Sequence, residues 1–140
     1  MLKNNMITED YVSFETAKLL KEKGFDWDCK QVYDLVRPQS CADGKMYDNF
    51  SDKNPNANGE LVSAPTLQMA MKWLRKVHNF NVNNELNIHG YFCSLSYIVR
   101  DSSGHIIDIE DSEAWETAYY DSYEEACEAA IRYTLENLIN

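Results

Sequence analysis

The residues of this chain best suited to nucleophilic or metal chemistry are His78, His89 and His105, together with Cys29, Cys41, Cys93 and Cys127. A protein zinc site needs four such ligands, or three and a water. No CxxC, HxxxH or HExxH spacing occurs here. Cys93 follows His89 by four residues, which on a strand would place both on one face. That supplies only two ligands. A cysteine nucleophile needs a base beside it to form the thiolate, and no elbow of the GxSxG type presents one. The glycines, at positions 24, 44, 59, 90 and 104, stand singly, so no glycine loop exists to cradle phosphate.

Two further stretches carry oxygen ligands at suggestive spacing. Asp52, Asn54 and Asn56 in "DKNPNANGE" alternate like the start of a calcium loop. In that register Ala57 occupies the position that requires glycine. Counting from Asn54 instead, Gly59 is in place, but Pro65 stands where a bidentate glutamate is needed. The stretch reads as a turn-rich surface loop. In "DIEDSEAWE", the residues Asp108, Glu110, Asp111, Glu113 and Glu116 could do acid–base work if one were buried. Between a hairpin and a helix they read as a solvated acidic connection. The expectation is no catalytic centre, no cofactor and no metal.

Charge narrows the partners. The chain holds 23 Asp+Glu against 13 Lys+Arg, a formal charge of −10 over 140 residues. Affinity for nucleic acid comes largely from cations displacing counterions, so no direct nucleic-acid contact is expected, and no anionic membrane. The densest basic cluster is Lys72, Arg75 and Lys76. "MLKNNMITEDYVS" lacks an apolar signal core, and no apolar run approaches the roughly 18 residues of a membrane span. A cytoplasmic protein with reduced thiols is expected.

The elements that must position these groups follow from capping and periodicity. Ser13 caps a first helix through "FETAKLLKEK", which Gly24 ends. "CKQVYDLV" (29–36) is a strand stopped by Pro38. A second helix is expected with Ser63 as cap and Pro65 in its first turn. Its apolar stripe is Leu67, Ala70, Met71, Leu74 and Val77, with Met69 and Trp73 widening it. "FNVNNELNIH" (80–89) makes one strand or two. "YFCSLSYIVRD", "SSG" and "HIIDIE" read as a hairpin whose buried face is Tyr91, Cys93, Leu95, Tyr97 and Val99. A capping box, Ser122 with Glu125, opens the last helix. Its stripe is Tyr123, Cys127, Ala130, Ile131, Thr134 and Leu138, with Glu124, Glu125, Glu128, Arg132 and Glu136 on the wet side. The whole predicts a single α+β domain over residues 1–140: two layers, an antiparallel sheet of about four to five strands packed by two amphipathic helices, plus a short N-terminal helix.

"VSFETAKLLKEKGFD", "SAPTLQMAMKWLRKVHN" and "YDSYEEACEAAIRYTLENLI", in that order, resemble a family of small bacterial proteins that often lie among phage and mobile-element genes. The resemblance implies a cytoplasmic accessory protein of such origin and carries no catalytic residues. Residues 37–60 read as an elaboration of that pattern.

The leading expectation is a non-enzymatic module that binds another protein. Trp27, Met69, Trp73 and Trp115 give more aromatic and soft apolar surface than one core must use, and such residues are enriched at interfaces. Met69, Trp73 and Trp115 are the candidate partner surface. Met69 and Trp73 either touch a neighbouring helix or face a partner, a second copy included. Two other readings stand beside it. One is an acidic decoy of a nucleic-acid-binding protein. The other is a small-ligand binder or enzyme with Cys93, His89 and His105 around the hairpin.

Overall fold

The computed structural model describes residues 9–36, 45–49, 53–111 and 118–140. Helix α1 (Phe14–Glu22) starts where Ser13 Oγ accepts from the Thr16 N–H, and the chain leaves it through Gly24 at φ +93°. That left-handed turn is one glycine adopts without strain. Strands β1 (Gln31–Asp34), β2 (Tyr47–Asp48) and β3 (Leu61–Ser63) form a small antiparallel sheet in the order β2-β1-β3. A 3-10 turn (Pro55–Ala57) precedes β3.

Helix α2 (Leu67–His78) begins later than its sequence suggests. Thr66, not Ser63, caps it by accepting from the Met69 N–H at 3.1 Å. The cause is Pro65, whose ring holds the preceding Ala64 in extended backbone, so the chain stays strand-like until the next residue able to cap. Ser63 is a buried member of β3. The buried stripe is Leu67, Ala70, Met71, Trp73 and Leu74, whereas Val77 is half exposed. Trp73, a candidate for partner surface, is 1% exposed. Its ring meets Phe25 edge-on at 5.5 Å and His78 at 4.8 Å. The tryptophan is core.

Strands β4 (Phe80–Asn87), β5 (Gly90–Arg100) and β6 (Ile106–Asp111) make a second antiparallel sheet in the order β4-β5-β6. The expected single sheet is thus two sheets of three strands, because α2 carries the chain from the end of β3 to the start of β4 in a separate sheet. The hairpin of β5 and β6 is present, and 80–87 is one strand. Gly90 is required where β4 turns into β5: a Cβ there would lie 2.7 Å from the Tyr120 carbonyl oxygen.

Helix α3 (Tyr123–Asn137) starts at Ser122, whose Oγ accepts from the Glu125 N–H. It buries Ala126 and Leu135 besides the expected Cys127, Ala130, Ile131 and Thr134. Tyr123 keeps 37% of its surface. α3 packs against α1, α2, β4 and β5. Glu128 is not on a wet face. Its carboxylate accepts from the Ser13 N–H at 3.1 Å, from Ser13 Oγ at 3.0 Å and from Thr16 Oγ1. It therefore sits at the positive end of α1, where a carboxylate is stabilised by free backbone donors. One apolar cluster joins Val12, Leu20, Tyr33 and Val62 of the first half to Leu74, Leu95, Ile131 and Leu135 of the second.

Trp73→Ala is expected to cost about 3–5 kcal/mol, as for other buried aromatics. Lys72→Ala on the exposed side of α2 should cost under about 0.5 kcal/mol. Urea unfolding of both variants checks the helix phase, and equal midpoints would refute it.

Candidate functional site

The turn between β5 and β6 is built by one carboxylate. Asp101 Oδ1 accepts from the Ser103 N–H at 2.9 Å and the His105 N–H at 3.0 Å, and Arg100 Nη1 donates to the Gly104 carbonyl at 3.0 Å. Gly104 takes φ +89°. This fixed turn projects β6, whose sequence "IIDIED" favours extended backbone through its β-branched residues.

All of β6 is exposed: Ile106 55%, Ile107 63% and Ile109 58%, with Asp108, Glu110 and Asp111 between and after them. The register sets Ile109 opposite Ile98, Asp108 opposite Val99 and Glu110 opposite Tyr97. Ile98 and Ile109 therefore share one face, with Ile107 beside them, while Asp108 and Glu110 lie on the other. Among the described residues nothing pairs with the outer side of β6. Alternate backbone N–H and C=O groups there point outward, as on any edge strand. No ion pair among the described residues engages the three β6 carboxylates. On the isoleucine face, a polar line runs inward from Asp111: it accepts from Ser96 Oγ at 3.1 Å, and Asn83 Nδ2 donates to Ser96 Oγ at 2.9 Å.

A second feature is an open groove of about 800 Å³ beside the start of α2, lined by Tyr11, Asp28, Cys29, Lys30, Pro65 and Met69. Met69 is half-buried there. Burial pushes the Cys29 thiol up, against lowering contacts from the Gln31, Ala64 and Lys30 backbone, so it stays protonated. That makes it a poor nucleophile.

The other residues singled out from sequence are not brought together. His89 lies in the β4–β5 turn against Tyr119, and His105 in the β5–β6 turn, at opposite ends of the eleven-residue β5. At the usual rise these turns are roughly 30 Å apart. Cys93 is buried between them and faces α3, so the pocket expected around these three does not form. Trp115, Asp52, Cys41, Glu113 and Glu116 lie outside the described residues. The asparagines of the calcium-like loop serve the backbone instead. Asn56 Nδ2 donates to the Phe25 carbonyl and its Oδ1 accepts from the Ser63 N–H, while Asn54 and Asn58 each accept from the amide two residues on. Among the described residues no group of three or more His, Cys, Asp or Glu could hold a metal, and no helix is long and apolar enough to cross a membrane.

The stretch "HIIDIE" shows a strand carrying isoleucines, and its place in a hairpin predicts one apolar face rather than exposure on both. Only the extent of the helical layer reveals that β6 lies beyond it. No family model, curated protein or solved structure matches the chain.

One partly buried titratable group, packed on the Trp73 ring, has a pH consequence. Burial holds the His78 imidazole below its ordinary value, and neither its Nε2 nor Trp73 Nε1 has a hydrogen-bond partner among the described residues. The unfolded chain then takes up this proton first as pH falls through about 6.5. Stability from neutral His78 is present above that value and is lost below it, down to the folded titration. Urea midpoints measured across this window should fall for the wild type and fall less for His78→Gln. Parallel pH profiles would contradict the assignment.

Proposed function

We propose that this protein is a non-enzymatic interaction module that takes an extended, basic segment of another protein as a further strand along β6. The observation carrying this reading is an edge strand with every residue exposed and three isoleucines on it. Isolated apolar residues are common on surfaces, but a contiguous apolar edge with free backbone groups is a template for strand addition.

Charge selects the occupant. A second copy paired along β6 would gather six carboxylates in one two-stranded ribbon on a chain already at −10. Like charges on paired strands destabilise. A partner strand alternating apolar and Lys/Arg residues would place cations beside Asp108 and Glu110 on one face and apolar groups on the isoleucines of the other. The reading includes the setting suggested by the three resembling segments, a cytoplasmic accessory protein of phage or mobile-element type.

A synthetic strand of alternating valine and lysine should bind, with amide shifts concentrated on β6, and should weaken as salt rises. Ile107→Thr together with Ile109→Thr should cost about tenfold or more in affinity, while changing stability by under roughly 0.5 kcal/mol. Equal binding of a valine–glutamate strand, or shifts gathered at the Met69 groove, would overturn the proposal. Salt-sensitive binding indifferent to the two threonines would instead favour an acidic decoy. A dimer lost in the threonine variant would make a second copy the occupant.

A further inference from the structure

Cys93 and Cys127 meet where β5 faces the first turns of α3, both with no exposed surface. Asn84, opposite Cys93 in the β4–β5 register, aims one amide nitrogen at both sulfurs, 3.2 Å from Cys93 Sγ and 3.4 Å from Cys127 Sγ. The same nitrogen lies 3.3 Å from the Tyr123 carbonyl. The two sulfurs thus share one amide donor, and the neighbouring Cys93 thiol and Tyr123 hydroxyl both favour the Cys127 thiolate. A cysteine serving only as a small core hydrophobe needs none of them.

We propose that Cys93 and Cys127 form an oxidisable dithiol that hydroperoxides convert to a disulfide, with Cys127 attacking and Cys93 resolving. The donors around Cys127 favour its thiolate and pull it below the ordinary thiol range, the Cys93 hydrogen bond first, while the same bond pushes Cys93 up. The sulfurs lie one layer beneath the surface. Their cover is half-buried Asn84 and Tyr123, which retains 37% of its exposure at the start of α3. Local opening of that first turn admits a small oxidant, since helix ends open at lower cost than the core.

The chemistry balances without any further cofactor. The Cys127 thiolate attacks the terminal oxygen of ROOH, forming S–O and breaking O–O; the leaving alkoxide takes a proton and departs as alcohol. Cys93 then attacks the resulting sulfenic sulfur, forming S–S and breaking S–O, and the hydroxide leaves as water with the Cys93 proton. Two thiols and one hydroperoxide give one disulfide, one alcohol and one water.

The test uses the full chain with Cys29→Ser and Cys41→Ser, treated with hydrogen peroxide, alkylated in denaturant and mapped by mass spectrometry. The expected result is loss of two hydrogen masses, a peptide joining Cys93 to Cys127, and reversal by dithiothreitol. Cys93→Ser should stop at a sulfenic acid on Cys127 that dimedone traps, and Asn84→Leu should slow the reaction several-fold. Because the mapping needs neither of those two variants, their failure to fold would leave the test intact. Thiols that survive peroxide for hours would overturn the proposal. So would oxidation no faster in the folded chain than in urea.

Discussion

Six residues of α3, Ala126, Cys127, Ala130, Ile131, Thr134 and Leu135, have no exposed surface at all. That burial is the constraint from which the rest of the fold follows. Alanines and a cysteine on the face toward β5 let the helix approach closely, and interiors must be packed to near-crystalline density. The hydroxyl of Thr134 is satisfied within the helix by the Ala130 carbonyl at 2.8 Å, so it can be buried at little cost. α1 and α2 close around α3 from the other side, and Glu128 fastens α3 to the N-terminus of α1.

A helical layer centred on α3 covers β4 from Phe80 to Asn84 and the first half of β5 but not what lies beyond. Cys93 and Leu95 are buried beneath it, whereas Tyr97 on the same face is 39% exposed. β6 is one strand further out and is open on both faces. The sheet outruns its cover, and the apolar edge is the consequence. A soluble protein usually blunts such an edge with charge or with a covering element. Here β6 carries charge of one sign only, through Asp108, Glu110 and Asp111.

Much of this was legible in the sequence. Ser13, Gly24 and Ser122 announce helix ends through local chemistry, which a short window contains. The stripes of α2 and α3 follow from helical period, and the β5–β6 hairpin from its turn. What failed was non-local. Glu128 looked solvated because nothing nearby in sequence shows that α1's N-terminus lies against it. Trp73 looked optional because Phe25, its ring partner, is 48 positions away. The pairing of Cys93 with Cys127 was equally hidden, since spacing along the chain says nothing of a strand meeting a helix. The division into two sheets could not be read from strand propensity, which does not specify neighbours.

Native-state hydrogen exchange resolved by residue tests the central claim most directly, that the sheet extends past its helical cover to a free edge. The buried face of α3 and the amides of β5 should exchange only through global unfolding, whereas alternate amides of β6 should exchange orders of magnitude faster. Protection of all six β6 amides at the level of β5 would mean that the edge is already covered, and would contradict the account.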